Sequence, residues 1–196
     1  MIRATGAILL LLCTSCRIML QNNSYLPGTG FDKTDDSPVY SLPFEKNKKV
    51  FVVQGYKSWF SHHDMIAIDF KVKKGTKICA ARDGVVIATR KNSHRHGLKK
   101  EMLSEGNYVF IRHEDGSIAH YWHLNTGDVF IKKGDTVKTG QVIGLSGNTG
   151  FSAFPHLHFD VSGFDDNEKF TGLPTRFHTQ QGDVYLLPGR FYRNTY

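Results

Sequence analysis

Apolar and polar residues alternate over short stretches of the chain, and turn-forming residues separate these stretches. Alternation with a period of two is typical of β-strands, and no segment carries the long apolar pattern of period 3.6 that indicates a helix. The Asp83-Gly84 and Glu114-Asp115-Gly116 sequences are typical of hairpin turns. We therefore predict an all-β domain of antiparallel sheets with few short helices. The predicted strands are Val50–Val53, Met65–Phe70, Lys77–Ala81, Val85–Arg90, Tyr108–His113, Ile118–His123, Val142–Leu145, His156–Val161 and Val184–Leu187.

The first 38 residues lack this pattern and divide into two segments. Arg3 precedes a short apolar run that ends near Cys16, and this arrangement predicts an export signal over residues 1–16. Small residues before Cys16 resemble a bacterial lipoprotein signal, in which that cysteine is lipidated; plain secretion and a retained N-terminal anchor are the alternatives. Residues 17–38 are rich in Asn, Ser, Gly and Asp, which predicts a flexible tether. The folded domain is therefore expected to cover residues 39–196.

Composition and charge narrow the class of protein. The 196 residues are 40% hydrophobic and 22% charged, which excludes a disordered chain and a multi-span membrane protein. The formal charge of +7 favours an anionic partner, such as nucleic acid, a membrane surface or an acidic wall polymer. No nucleic-acid-binding motif is recognisable, and we expect no such partner for an exported chain. We expect a monomer in the cell envelope, either a membrane-anchored lipoprotein or a periplasmic or extracellular protein.

The sequence Pro155-His156-Leu157-His158-Phe159 places two histidines on one strand. In a strand, residues two apart share a face, so the imidazoles of His156 and His158 point together while Leu157 and Phe159 face the core. Packing two imidazoles in a core would leave polar nitrogens without partners. A metal or catalytic site is therefore favoured over an exposed pair of histidines.

A carboxylate, Asp69, follows an apolar stretch with strand character, and His62 and His63 precede that stretch. A carboxylate in such an apolar strand needs a partner, and a metal ion is a suitable one. The alternative is that Asp69 pairs with an arginine or caps a turn. Catalytic zinc is typically held by three protein ligands, with the fourth position left for water. Histidine, aspartate and histidine make a suitable set of nitrogen and oxygen donors.

Two further segments contain histidines. In Ala119–Leu124, alternation puts Tyr121 and His123 on one strand face and His120 and Trp122 on the other, so His123 is significant only together with the other motifs. The sequence His94-Arg95-His96 lies in a basic, polar stretch that predicts a solvated loop. Contact with anionic glycan or peptide carboxylates is the functional alternative for that loop.

Together these motifs resemble the lysostaphin/LytM-type zinc endopeptidases, which cut bacterial peptidoglycan. The similarity runs from about Tyr40 to the C-terminus. It is carried by Phe60-Ser61-His62, Ala67-Ile68-Asp69-Phe70, Gly75-Thr76, residues 80–86, Gly106-Asn107, Tyr121-Trp122-His123-Leu124, Gly134-Asp135, Gly140-Gln141, Gly147-Asn148-Thr149-Gly150 and His156-Leu157-His158-Phe159. The resemblance implies an antiparallel sheet or sandwich of the lysostaphin type.

The resemblance also implies site residues and a cofactor. His62, Asp69 and His158 would bind Zn²⁺, while His123 and His156 would handle protons and stabilise the transition state, with their individual roles left open. Six residues separate His62 from Asp69, where many members have three, and His63 is the alternative first ligand.

Asn107 and Tyr121 are expected to contact substrate, with core packing as the alternative for Tyr121. The implied function is zinc-dependent hydrolysis of peptide bonds in peptidoglycan, in cross-links or stem peptides. A non-catalytic relative that binds peptidoglycan or activates another wall hydrolase is the alternative. We favour the enzyme because all five implied site positions are filled.

Overall fold

The computed structural model describes residues 39–58, 61–165 and 167–196. The predicted export signal, its Cys16 and the predicted tether lie outside these residues. In the described part of the chain, no helix is both long and apolar enough to cross a membrane.

The described residues form short β-strands and one short 3₁₀-helix, Lys100–Glu105. In chain order the strands are β1 (Val39–Ser41), β2 (Lys49–Gln54), β3 (Ala67–Lys71), β4 (Lys77–Cys79), β5 (Gly84–Arg90), β6 (His96–Gly97), β7 (Tyr108–Arg112), β8 (Ile118–Trp122), β9 (Leu124–Val129), β10 (Thr136–Val137), β11 (Val142–Ser146), β12 (Gly150–Phe151), β13 (His156–Phe164), β14 (Phe170–Gly172), β15 (Arg176–Thr179), β16 (Gly182–Val184) and β17 (Phe191–Arg193).

One large antiparallel sheet of nine strands dominates the fold. Its strand order is β10-β5-β7-β8-β13-β3-β2-β17, and β14 pairs with β13 beside this path. A second, three-stranded sheet has the order β4-β11-β9, and a third has the order β1-β15-β16. Two pairings are parallel, β1 with β15 and β6 with β12. The predicted β-dominated, mainly antiparallel fold with little helix is confirmed.

The core lies on one face of the large sheet, where it meets apolar residues of the two three-stranded sheets. Phe159 of β13 is central to it and makes edge contacts with the rings of Tyr40, Tyr121 and Phe177. Burying one such ring contributes roughly 1.5–3 kcal/mol. Because a shift of one residue in register would expose this whole set, the core fixes which side chains of β13 face away from it. His158 is one of those side chains.

The sequence pattern misplaced some boundaries. The predicted strand Val184–Leu187 is largely wrong, because β16 ends at Val184 and the buried Tyr185 and Leu186 enter the core from an irregular segment. The apolar run at Val184–Leu187 therefore indicates buried side chains rather than a β-strand. The stretch around His96 is exposed, as predicted for a solvated loop, but it also contains β6 and leads into the 3₁₀-helix. β6 is only two residues long and pairs with a strand distant in sequence, so it has no detectable period.

Candidate metal centre and active site

Adjacent strands in the middle of the large sheet bring Asp69 and His158 together. Strand β13 lies between β3 and β8, and His158 is directly opposite Asp69 on one side and Trp122 on the other. Directly opposed residues of antiparallel strands have their side chains close together on one sheet face. The register of β3 and β13 therefore creates the carboxylate–imidazole pair.

His62 completes a group of three potential metal ligands. Its Nε2 is 3.3 Å from Asp69 Oδ2, and His158 Nδ1 is 2.8 Å from Asp69 Oδ1. One ligand atom from each residue lies within 4.8 Å of the others. His62 and Asp69 are only 2% and 4% exposed. Two imidazole nitrogens and a carboxylate, buried and converging in this way, are a donor set that fits zinc.

Hydrogen bonds determine which nitrogen of His62 can bind a metal. Its Nδ1 is 3.2 Å from the carbonyl oxygen of Gly55 and 3.1 Å from that of Ala67. A carbonyl only accepts hydrogen bonds, so Nδ1 carries a proton, and Nε2, which faces Asp69, is the nitrogen left to bind a metal. A backbone carbonyl that orients a ligating histidine in this way is typical of metal sites in proteins.

Electrostatics keep Asp69 ionised. Burial opposes its charge, but hydrogen bonds from His158 and His62 hold the pKa of the carboxyl well below its usual range. Gln54 Nε2 also donates to Asp69 Oδ2 at 2.7 Å, and Gln54 is itself tied to Ser61. Gln54 could not be predicted as part of the site, because nothing in the sequence pattern of β2 distinguishes it from an ordinary strand residue.

Two nearby carboxylates favour the protonated form of His158. Burial alone would lower its pKa, but hydrogen bonding to Asp160 and Asp69 and their negative charges raise it to about 10. A histidine must lose a proton before it can coordinate a metal, so metal binding here is coupled to proton release. His158 Nδ1 donates to Asp69 Oδ1 at 2.8 Å, and the same nitrogen would have to give up this proton to hold a metal ion.

The loop between His62 and Asp69 folds back as a turn. The amide of Met65 donates to the carbonyl of His62 at 3.1 Å, and Met65 accepts in turn from Lys57. The turn absorbs the additional residues, so His62 is buried in the cluster whereas His63 is exposed. The geometry supports His62 as the first ligand.

Separate replacement of His62 and His63 by alanine tests which of the two histidines is the first ligand. We expect His62→Ala to reduce zinc affinity at least about 100-fold, because one of three protein ligands is lost. His63→Ala is the matched control and should keep zinc bound at one equivalent. Equilibrium dialysis with metal analysis measures both variants, and zinc loss in the His63 variant instead would reverse the assignment.

His123 reaches the site through an unusual backbone conformation. Strand β8 ends at Trp122, and His123 has a φ of 63°, in the left-handed region that non-glycine residues rarely adopt. The prediction that alternation places His123 on the face of Tyr121 is therefore wrong. The His123 ring centroid lies 4.6 Å from that of His156 and 5.9 Å from that of His158.

His123 and His156 are held in matching ways. His123 Nδ1 donates to the carbonyl of Thr149 at 2.7 Å, and His156 Nδ1 donates to that of Phe154 at 2.8 Å. Each neutral ring therefore has its Nε2 lone pair free to accept a proton. Burial, followed by repulsion from the neighbouring histidines, lowers the pKa of His123 to about 3, and burial lowers the pKa of His156. Both rings are neutral bases at pH 7.

Comparison with known proteins identifies this arrangement. Residues 61–170, which contain the three candidate ligands and both additional histidines, match the family model described as peptidase family M23. The chain belongs to this family. Membership confirms the resemblance to lysostaphin/LytM-type peptidases that the sequence motifs predict.

Several named bacterial proteins are similar in sequence to this chain. It is 40% identical over 93 residues to the peptidoglycan DD-endopeptidase ShyA of Vibrio cholerae. This match covers 47% of this chain and 19% of ShyA. It is 39% identical over 108 residues to ShyC of Vibrio cholerae (54% and 22%) and 30% identical over 109 residues to lysostaphin of Staphylococcus simulans (55% and 20%). The chain thus spans about a fifth of the length of these relatives.

Among solved structures, the catalytic domain of lysostaphin from Staphylococcus simulans is 28% identical, with a TM-score of 0.44. That match covers 62% of this chain and 86% of the lysostaphin domain.

Asn107, expected to contact substrate, is fully buried in this M23 domain. Its side chain accepts from the amide of Ser93 and donates to the carbonyl of Ser93, both at 2.9 Å. Its backbone amide donates to Thr149 Oγ1, and Thr149 is the residue whose carbonyl orients His123. We therefore assign Asn107 the task of holding the loops around His123 rather than touching substrate.

Tyr121, also expected to contact substrate, lies on the core face of β8 and is 0% exposed. Its hydroxyl accepts a hydrogen bond from the amide of Ala81 at 2.8 Å, which links the large sheet to the segment after β4. Alternation along β8 accounts for this position, because the core face of that strand includes Tyr121 and Ala119. Its role is structural.

Tyr121→Phe is expected to lower stability without changing catalysis. The variant leaves the buried amide of Ala81 without a partner, which costs about 1–3 kcal/mol of unfolding free energy. Urea denaturation measures this loss, and steady-state kinetics should give unchanged KM and kcat. A clear rise in KM at normal stability would restore Tyr121 as a substrate contact.

Proposed function

We propose that this M23 protein is a zinc-dependent endopeptidase that hydrolyses peptide bonds in bacterial cell-wall peptidoglycan, in cross-links or stem peptides. The observation that carries the proposal is the convergence of one buried carboxylate and two imidazoles beside two further neutral histidines. The relatives named peptidoglycan DD-endopeptidase support the choice of substrate.

The three ligands in the proposal are His62 through Nε2, Asp69 through its carboxylate and His158 through Nδ1. A bound zinc ion would supply a Lewis acid and a water molecule with a pKa lowered to about 7. Asp69 contributes negative charge to the centre, and its contact with Gln54 fixes the direction of the carboxylate.

His123 and His156 provide the proton transfers in the proposed reaction. A neutral imidazole can take a proton from the attacking water and return it to the leaving amine. A protonated imidazole can donate to the oxyanion that forms on the scissile carbonyl. The two rings stand side by side, with Nε2 of His156 3.8 Å from Asp69 Oδ1 and hence at the edge of the ligand group.

We also propose an exported, monomeric protein in the cell envelope, attached to the membrane through a lipidated Cys16. The short apolar run before Cys16 supports export. The positive charge of the chain suits an acidic wall polymer as partner.

The test measures zinc content and wall hydrolysis in the same purified protein. We expect one zinc per chain, release of new amino groups from purified sacculi, and loss of both after treatment with a chelator. Restoration by added zinc excludes irreversible damage by the chelator. Stoichiometric zinc without amine release, combined with stimulation of a second wall hydrolase, would instead support the non-catalytic alternative.

A further inference from the structure

Beside the candidate metal centre, a second histidine–aspartate pair adjoins His158 from the opposite side. Asp160 follows His158 by two residues in β13, so both side chains lie on the same face of the large sheet. His120 of β8 is directly opposite Asp160, and Phe110 of β7 is directly opposite His120. The pair is therefore built into central strands of the large sheet.

The Asp160 carboxylate lies between two imidazoles. Its Oδ1 is 2.6 Å from His120 Nδ1, and its Oδ2 is 3.6 Å from His158 Nε2. The Phe110 ring meets the His120 ring edge-on at a centroid distance of 4.4 Å, which fixes the orientation of that imidazole. The side chains of His120 and Asp160 are 16% and 22% exposed. His158 thus has a carboxylate at each ring nitrogen, Asp69 at Nδ1 and Asp160 at Nε2.

We propose that Asp160, held in place by His120, is a positioning residue for the metal centre: it keeps the Nε2 proton on His158 and thereby directs the Nδ1 lone pair to the metal. This inference rests on the zinc centre proposed above. Neutral imidazole carries one proton, and an ionised carboxylate can only accept it, so Asp160 selects the Nε2–H tautomer. His120 occupies the other oxygen of the carboxylate and stops it from rotating away.

Neither residue is required by the three-ligand set, and an ordinary pair of charges on a sheet surface would have no effect on metal binding. The proposal therefore predicts a change that a purely structural pair would not cause. In Asp160→Asn, an amide NH₂ can face His158 Nε2, and as a donor it favours the Nδ1–H tautomer, which cannot bind the metal.

The experiment measures zinc affinity of the full chain by competition with a chromogenic chelator. We expect Asp160→Asn to weaken zinc binding about 10–100-fold and His120→Phe about 10-fold, the range found when a residue that orients a metal ligand is replaced. His120→Gln, which retains an N–H donor, should bind zinc more tightly than His120→Phe. With Co²⁺ in place of zinc, the visible ligand-field spectrum should change in Asp160→Asn.

The matched control is Asp183→Asn. Asp183 accepts from His178 at the same 2.6 Å distance, but the pair lies in the β1-β15-β16 sheet. This variant should have wild-type zinc affinity and a wild-type cobalt spectrum. Melting curves of the metal-free proteins establish that the variants fold, and His120→Phe provides a second variant if Asp160→Asn does not.

Equal zinc affinities and identical cobalt spectra in wild type, Asp160→Asn and His120→Phe would overturn this inference while leaving the proposed function intact. A wild-type chain that binds no zinc would overturn both. Weaker binding in the two variants, with normal binding in Asp183→Asn, would support the positioning role.

Discussion

Asp69→Asn should reduce both zinc binding and peptidoglycan hydrolysis to background. Asp69 lies at the centre of the ligand group, with His62 and His158 at 3.3 and 2.8 Å from its two oxygens. The amide has nearly the same shape but lacks the negative charge, and it coordinates zinc poorly. We expect hydrolysis to fall by roughly 10⁴-fold, the scale observed when one member of a cooperating catalytic set is removed.

Zinc content by metal analysis and amine release from sacculi should be measured on the same Asp69→Asn sample. Circular dichroism verifies the fold, and Asp183→Asn serves as a control for the chemical change at an exposed carboxylate. Full hydrolytic activity in Asp69→Asn would reject the assignment of the metal centre.

His123→Ala and His156→Ala should separate catalysis from metal binding. Both rings adjoin the ligand group, but neither belongs to the three ligands, so zinc should remain at one equivalent. The rate constant kcat should fall about 10²–10⁴-fold in each variant, the usual contribution of a positioned acid or base, while KM changes little. A general base must be deprotonated to act, so the variant that loses the acidic limb of the pH profile would identify the general base.

Loss of zinc in either histidine variant would contradict this division of roles and make that residue a ligand. Unchanged kcat in both variants would show that proton transfer takes place elsewhere.

A series of protein concentrations in the same assay would also test the expected monomer, because the specific activity of a monomer does not depend on protein concentration.

Local pattern was sufficient to predict part of the site. The period of two along β13 puts His156 and His158 on one side and Leu157 on the other, and the structure has Leu157 fully buried in the core. The apolar stretch before Asp69 correctly marked a buried strand, although β3 starts only at Ala67. These features depend on neighbours in sequence, which is why the sequence contains them.

Other features depend on backbone geometry and pairing, which the sequence does not display. His123 breaks the alternation of β8 because its φ is 63°, and no turn signal at Trp122-His123 predicted this change. Tyr121 matched a motif near the site, yet its side chain faces the core. A residue in a site motif can therefore serve the fold rather than the chemistry.

The partners of the ligands were missed for a related reason. Gln54 and His120 come from strands β2 and β8, and only the sheet register brings them to Asp69 and Asp160. Asp160 itself was detectable in the sequence, because it continues the face of His158 by one further step of two.

The central claim is that three side chains from separate stretches bind one zinc ion. Anomalous diffraction at the zinc absorption edge, on crystals of the zinc-loaded protein, tests it most directly. We predict a single strong peak within bonding distance, about 2.0–2.2 Å, of His62 Nε2, an Asp69 oxygen and His158 Nδ1. A peak bonded to His63 or to the His94 and His96 pair, with none beside Asp69, would contradict it.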